Sequence, residues 1–286
     1  MDTSIIFAII ALSVTALVFA VIIYFVEQKF KVIEDPRIDI IQELLPGANC
    51  GGCGYAGCRN FAEILVKSTD ISSLNCPVGG NNVMTAVAVE LGLESIARDP
   101  MIAVVRCNGT RENAKHKVEF DGVTTCIYAH SLFSGESGCP FGCLGYGDCV
   151  RSCTFDAIYI DNKTGLPIVS NDKCVACGAC VKACPRSIIE LRIKGKKDRR
   201  IYVNCINKEK GAIAKKNCDV ACIGCGKCVK VCSFDAIQLE DNLAYIDFSK
   251  CTSCRKCVEV CPTNSIEELN FPPRKEKPVL VETIEL

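Results

Sequence analysis

The chain has 286 residues, of which 24 are cysteine, and its 33 basic residues balance its 33 acidic ones. A balanced charge gives no electrostatic reason to bind nucleic acid, and we expect no nucleic-acid partner. The cysteines fall in dense C-x2-C-x2-C runs, which suit shared metal centres in a reducing compartment better than the distant pairs of a secreted disulfide scaffold.

The first predicted element is an uncharged apolar segment, residues 4–26, within a proposed anchor of residues 1–27. A helix of this length spans the ~30 Å hydrocarbon core of a lipid bilayer. A cleaved signal peptide fits less well, because no Lys or Arg precedes the segment and the segment exceeds a usual signal core. Lys29 and Lys31 follow the segment, so the positive-inside rule predicts an external N-terminus and a cytoplasmic remainder.

The first cysteine motif, C-x2-C-x4-C-x17-C, lies in a predicted domain of residues 28–100 and has glycines between its ligands. Glycine lets the backbone turn tightly and brings N–H groups near sulfur. Zinc also accepts four thiolates, but a glycine-rich loop with three close cysteines favours a [4Fe–4S] cluster. We name this set cluster 1: Cys50, Cys53, Cys58 and Cys76.

An internal repeat organises the rest of the chain. Residues 126–153 align without a gap on residues 205–232, and a second cysteine run ending in Cys-Pro closes each copy. Five cysteine pairs coincide in the alignment: 126/205, 139/218, 143/222, 149/228 and 153/232. The repeat predicts two modules of about 80 residues each. We place them at residues 101–194, including a leading strand, and 195–268, followed by a tail of residues 269–286.

Each module resembles a bacterial two-cluster ferredoxin, in which a C-x2-C-x2-C-x3-C-P run binds one cluster with three cysteines and the neighbouring cluster with the fourth. For the second module the resemblance implies two [4Fe–4S] clusters. Cluster 4 would be held by Cys222, Cys225, Cys228 and Cys261, and cluster 5 by Cys232, Cys251, Cys254 and Cys257.

The first module departs from the ferredoxin pattern, because Tyr146 stands where its sister has Cys225. Cluster 3 keeps a full set of Cys153, Cys174, Cys177 and Cys180. Cluster 2 retains Cys143, Cys149 and Cys184, and we expect Cys139, the nearest cysteine, to complete it. A three-iron cluster and a ligand from elsewhere remain the alternatives.

Four cysteines are then left over: Cys107, Cys126, Cys205 and Cys218. They could hold a sixth [4Fe–4S] cluster in addition to the five assigned. The alternative is that they are buried free thiols, which are common for cysteine. Because Cys139 and Cys218 are equivalent in the repeat, a sixth cluster also competes for Cys139.

An anchor, a C-x2-C-x4-C-x17-C-P motif and ferredoxin modules, in this order, resemble the B subunits of the Rnf ion-translocating ferredoxin:NAD oxidoreductase complexes. The resemblance implies an electron-transfer subunit of a bacterial inner-membrane assembly. Such a subunit accepts electrons from soluble reduced ferredoxin and relays them by cluster hopping to other subunits and finally to NAD, coupled to Na+ or H+ transport.

The predicted fold class is α+β: one transmembrane helix, a [4Fe–4S] domain and two small ferredoxin modules. The chain carries no Gly-rich dinucleotide fingerprint, so we expect no direct nucleotide binding. We also expect no catalytic residue and no complete active site on this chain alone, only a share in the redox enzyme. Two other hypotheses are an iron–sulfur subunit of a membrane hydrogenase or formate dehydrogenase, and a zinc-bearing structural protein.

Overall fold

The computed structural model describes residues 3–30, 34–132 and 135–273. Most of the predicted tail, from residue 274 onward, and Lys31 lie outside these residues.

Helix α1, Thr3–Phe30, contains the predicted apolar segment, residues 4–26, and extends slightly beyond it at both ends. It carries apolar side chains on all sides, as a helix surrounded by lipid does. Its described side chains are exposed, because no other part of the described chain packs on it. Among the described residues it is the one helix long and apolar enough to cross a membrane, over Ile9–Lys29.

Three short helices build the next domain: α2 (Arg37–Leu44), α3 (Cys58–Lys67) and α4 (Gly80–Leu91). Each is amphipathic and turns its apolar side toward a common core. α4 ends at Gly92, whose φ of 67° is a left-handed cap that glycine adopts without strain. The fully or nearly fully buried side chains of this core include Ile41, Phe61, Leu65, Ile71 and Val87. The core fixes the loop that carries the first cysteine motif.

Replacing Leu65, which is 0% exposed in this core, is expected to destabilise the domain. Leu65→Ala leaves a cavity and should cost about 2–5 kcal/mol of unfolding free energy. The measurement is the urea midpoint for loss of visible cluster absorbance. Val89→Ala on the 77% exposed face of α4 is the matched control and should leave the midpoint nearly unchanged. Equal shifts for the two variants would contradict this core assignment.

The first module contains two antiparallel strand pairs and short helices that follow its cysteine loops. β1 (Met101–Val105) pairs with β4 (Ile189–Ile193) so that Met101 faces Ile193, and β2 (Ile158–Ile160) pairs with β3 (Pro167–Val169). The helices are α5 (Cys126–Leu132), α6 (Asp148–Arg151) and α7 (Ala179–Ala183).

The second module repeats this plan after a single 3-10 turn at Lys196–Asp198. β5 (Arg200–Val203) pairs with β8 (Ile266–Leu269), and β6 (Ile237–Glu240) pairs with β7 (Leu243–Ile246), both antiparallel. Its helices are α8 (Gly211–Asn217), α9 (Lys227–Val231) and α10 (Lys256–Glu259). The mixture of small helical and strand modules confirms the predicted α+β class.

Two arginines join the modules. Arg106, just after β1, donates from Nε to the carbonyl oxygen of Val203 and from Nη2 to that of Cys205, each at 3.3 Å. Arg192 on β4 is 1% exposed, and its guanidinium lies 5.1 Å from the ring centre of Tyr245. A buried guanidinium over an aromatic face replaces part of its lost hydration with a cation–π contact. The ends of β1 and β5 are therefore held side by side.

Candidate iron–sulfur sites

The cluster 1 cysteines lie around the loop that leads into α3. The backbone N–H of Cys58 donates to Oδ1 of Asn49 at 2.8 Å, which fixes the start of the helix. The N–H of Gly79 donates to Sγ of Cys76 at 3.4 Å. Burial raises the pKa of the Cys76 thiol, and the neighbouring thiolates of Cys53 and Cys58 raise it further. Three of the predicted ligands are thus electrostatic neighbours, and Cys50 belongs to the same loop.

In the second module, the structure brings together both predicted cysteine sets. One cavity is lined by Cys222, Cys225, Cys228 and Cys261, and another by Cys232, Cys251, Cys254 and Cys257. The N–H of Ser265 donates to Sγ of Cys261 at 3.3 Å. Hydrogen bonds of this kind stabilise negative charge on sulfur and tune cluster potentials.

The set predicted for cluster 3 also comes together. Burial raises the pKa of Cys180 to about 11, and the thiolates of Cys174, Cys177 and Cys153 add to the rise. The N–H of Ala157 donates to Sγ of Cys153 at 3.4 Å. The fourth ligand therefore crosses from the near cysteine run to the far one, as in the ferredoxin pattern.

The fourth member of the cluster 2 set differs from the prediction. The cavity that contains Cys143, Cys149 and Cys184 is lined by Cys126, and Cys139 is not part of its lining. α5 begins at Cys126, and the carboxylate of Asp148 accepts the N–H of Ile127 at 3.1 Å, which ties this helix to α6. Burial raises the pKa of Cys149 to about 12, with the thiolate of Cys126 as the next cause. The structure therefore places Cys126, and not Cys139, beside the three other cysteines predicted for cluster 2.

Cys139 instead joins three of the leftover cysteines at the junction of the two modules. A single cavity is lined by Cys107, Cys139, Cys205 and Cys218, which we call the junction site; Cys143 of the cluster 2 set lines it as well. The sixth set considered from sequence contained Cys126 in place of Cys139, and the structure exchanges these two residues. The sequence carried one signal for the exchange, the equivalence of Cys139 and Cys218 in the repeat.

Contacts between the modules form the junction site. Arg106 holds the strand ends that carry Cys107 and Cys205, and the N–H of Asn108 donates to the carbonyl oxygen of Asn204 at 3.2 Å. An isolated antiparallel bridge pairs Ala114 with Cys218. Because each module contributes two of the four cysteines, the site requires both modules.

Polar groups point at the junction-site sulfurs. The side-chain amide of Asn207, 1% exposed, donates from Nδ2 to Sγ of Cys139 at 3.3 Å, and its backbone N–H donates to Sγ of Cys205 at 3.4 Å. Burial raises the pKa values of Cys107 and Cys205 to about 11 each. These thiols therefore keep their protons at neutral pH until a metal displaces them.

The junction site fits the same kind of group as its neighbours. Its cavity has a volume of about 20 Å³, the same as the cavities at the cluster 2 site and at both sites of the second module. Across the described ranges no three His, Cys, Asp or Glu side chains are grouped so as to hold a single metal ion. Four cysteines spread around a cavity fit a multinuclear cluster, which fills the space between its ligands.

Neighbouring cysteine sets touch one another from the N-terminal domain into the first module. A Cβ at Gly52, beside Cys53, would lie 3.0 Å from the Cα and the carbonyl oxygen of Cys177. Cluster 1 therefore adjoins cluster 3. Within the module, the thiolate of Cys180 contributes to the raised pKa of Cys149, so cluster 3 adjoins cluster 2.

The contacts continue through the junction site into the second module. The N–H of Cys143 donates to Sγ of Cys107 at 3.3 Å, which links cluster 2 to the junction site. The N–H of Cys222 hydrogen-bonds the Cys205 thiol and links the junction site to cluster 4. The thiolate of Cys228 contributes to the raised pKa of Cys257, so cluster 4 adjoins cluster 5. The six sets form one unbranched series: 1, 3, 2, junction, 4 and 5.

Four protein families match segments of the chain, and all four are iron–sulfur families. 4Fe-4S dicluster domains match residues 139–189 and 221–265, a 4Fe-4S double cluster binding domain matches residues 173–235, and an Fe-S cluster family matches residues 45–78. Together they support several [4Fe–4S] clusters.

Relatives with similar sequences cover most of the chain. The B subunit of the Na(+)-translocating ferredoxin:NAD(+) oxidoreductase complex of Acetobacterium woodii is 43% identical, covering 89% of this chain and 75% of the relative. The B subunit of the proton-translocating ferredoxin:NAD(+) oxidoreductase complex of Clostridium ljungdahlii is 37% identical, covering 87% and 86%. The B subunit of the ion-translocating oxidoreductase complex of Methanosarcina acetivorans is 37% identical, covering 83% and 88%.

Proposed function

We propose a function from the premise that the chain belongs to the family of B subunits of ion-translocating ferredoxin:NAD oxidoreductase complexes. The chain is an iron–sulfur electron-transfer subunit of such a complex, and we propose that it holds six [4Fe–4S] clusters. When bound, these clusters supply one-electron acceptors. The chain carries electrons from reduced ferredoxin toward the membrane subunits and finally NAD.

The observation that supports this function is the unbroken series of cysteine sets. Each set touches the next through a hydrogen bond, a thiol pair or a backbone contact, and the series runs from the second module to the domain that follows α1. Without the junction site, the first and second modules would each hold two cysteine sets with a gap between them. The junction site therefore makes one path out of two ferredoxin modules.

We place the ferredoxin donor at the second module. All 24 cysteines lie in the described residues, and only Cys225 and Cys254 are exposed. Cys225 belongs to cluster 4 and Cys254 to cluster 5, so these clusters come closest to solvent. Exposed lysines flank both: Lys227, Lys230, Lys250 and Lys256. We propose that these lysines, which lie among the exposed carboxylates of Asp235, Glu240, Asp241 and Glu259, contact an acidic one-electron carrier, with a rate that falls as salt rises.

The proposed placement in the cell is a bacterial inner membrane with α1 as a single span in the lipid bilayer. We predict that a tag added before Thr3 is reached by an impermeant label from outside the cell. A tag after residue 273 should be reached only after lysis, since Lys29 and Lys31 favour the cytoplasmic side. External labelling of the C-terminal tag in intact cells would contradict this orientation.

The function is tested on the complex with its full-length subunit, purified without oxygen. We expect about 24 iron and equal sulfide per chain, from six clusters of four iron each. Reduced ferredoxin should then reduce NAD in the complex, and the rate should fall as ionic strength rises. Stoichiometric zinc with little iron would overturn the function, and about 20 iron would remove one cluster from the proposed six.

A further inference from the structure

Arg186 lies between two of the cysteine-lined cavities. It is 8% exposed and lines the cluster 2 cavity beside Cys184. Its Nη1 donates to the carbonyl oxygen of Cys139 at 3.4 Å and to that of Gly142, and both of these residues line the junction site. One buried guanidinium therefore reaches the walls of two neighbouring sites.

The ferredoxin pattern itself does not require this arginine. In the repeat, Cys184–Pro185–Arg186 corresponds to Cys261–Pro262–Thr263. Thr263 is equally buried, at 8% exposed, and its hydroxyl lies 3.0 Å from that of Ser265. A neutral residue thus serves at the same position in the second module, beside cluster 4. The positive charge at this position is specific to the first module.

A fixed positive charge at this position changes the reduction potential of a neighbouring cluster without changing its ligands. A [4Fe–4S] cluster with four thiolates is an anion, and accepting one electron makes it one unit more negative, with no proton taken up and no bond broken. A buried positive charge favours the more negative state, and the low dielectric strengthens the effect.

We propose that Arg186 is a positioning residue that raises the reduction potentials of two clusters alone, the cluster 2 centre and the junction centre. The proposal rests on the six-cluster function above. The charge of Arg186 makes the cluster 2 and junction centres easier to reduce. Electron transfer from the second module into the junction centre is therefore more favourable than it would be without the charge.

The test is an EPR-monitored redox titration of the full-length subunit in the complex. Arg186→Gln and Arg186→Thr remove the charge, Arg186→Lys keeps it, and Lys182→Gln removes an exposed charge the same distance in sequence from Cys184. In the Gln and Thr variants, two of the six couples should move to more negative potential. At a fixed poise their reduced-to-oxidised ratio should fall about tenfold, which is about 59 mV for a one-electron couple. The other four couples should not move.

Arg186→Lys should keep the reduction potentials of both couples close to those of the unsubstituted protein. Lys182→Gln should leave the potentials of all six couples unchanged. The proposal is overturned if no couple moves, if all move together, or if both charge-removing variants lose iron, which would make Arg186 a structural residue. The proposed function is tested separately, by the number of redox couples in the unsubstituted protein. Six couples there would still support the function in each of these cases. Fewer than six couples there would count against the function itself.

Discussion

Alanine at Cys139 together with alanine at Cys205 is expected to remove no more iron than either substitution alone. Both cysteines belong to the junction site, so each single variant loses the same cluster, about four of 24 iron. Alanine at Cys126 with alanine at Cys205 should instead remove two clusters, about eight iron. The measurement is iron and labile sulfide per chain in the anaerobically purified complex.

The two double variants separate the two possible ligand sets. If Cys126 belonged with Cys205 and Cys139 with Cys143, the losses would be reversed. No loss of iron from Cys205→Ala would make the junction cysteines structural thiols and leave five clusters. In the proposed arrangement, the Cys139→Ala complex should also lose nearly all ferredoxin-driven NAD reduction, because the series is broken between the modules.

Valine at Gly52 is expected to slow ferredoxin-driven NAD reduction while all six clusters remain bound. A Cβ at this position would meet Cγ of Pro77 at 2.8 Å and the backbone of Cys177 at 3.0 Å. Real Cβ atoms do not approach this closely, so cluster 1 would be pushed away from cluster 3. Electron transfer slows as the distance between two centres grows, so we expect the rate to fall.

The control for this variant lies in the same loop. Ala56 is exposed, so Ala56→Val adds the same kind of side chain on the solvent side. Its iron content and its rate should equal those of the unsubstituted complex. The rate of NAD reduction in Gly52→Ala should lie between the rates in Ala56→Val and Gly52→Val. A full rate in Gly52→Val with iron retained would show that electrons do not need the contact at Cys177.

Much of the site was predictable because iron–sulfur ligands are close in sequence. The C-x2-C-x2-C runs place three ligands within one loop, and the resemblance to two-cluster ferredoxins implied that the fourth crosses to the other run. The structure brings together the predicted sets of clusters 3, 4 and 5, and it groups Cys53, Cys58 and Cys76 of cluster 1. The anchor helix was predictable for a similar reason, since a long apolar run forms a helix in lipid without any partner.

The exchange of Cys126 and Cys139 could not be read from spacing. Cys139 is nearer to Cys143 in sequence, but α5 and its contact with Asp148 carry Cys126 into the cluster 2 cavity. Cys139 lies at the junction site, where the side-chain amide of Asn207 in the second module donates to its sulfur. Ligand choice here depends on contacts between segments far apart in the chain.

The sequence by itself determined the family, the α+β class, the membrane anchor and the presence of several iron–sulfur clusters, because each follows from local composition or from closely spaced motifs. Only the tertiary structure decided which cysteines meet at the module junction, that Gly52 contacts Cys177, and that Arg186 is buried between two sites. These features arise from packing between modules, and packing joins residues whose separation in sequence carries no periodic signal.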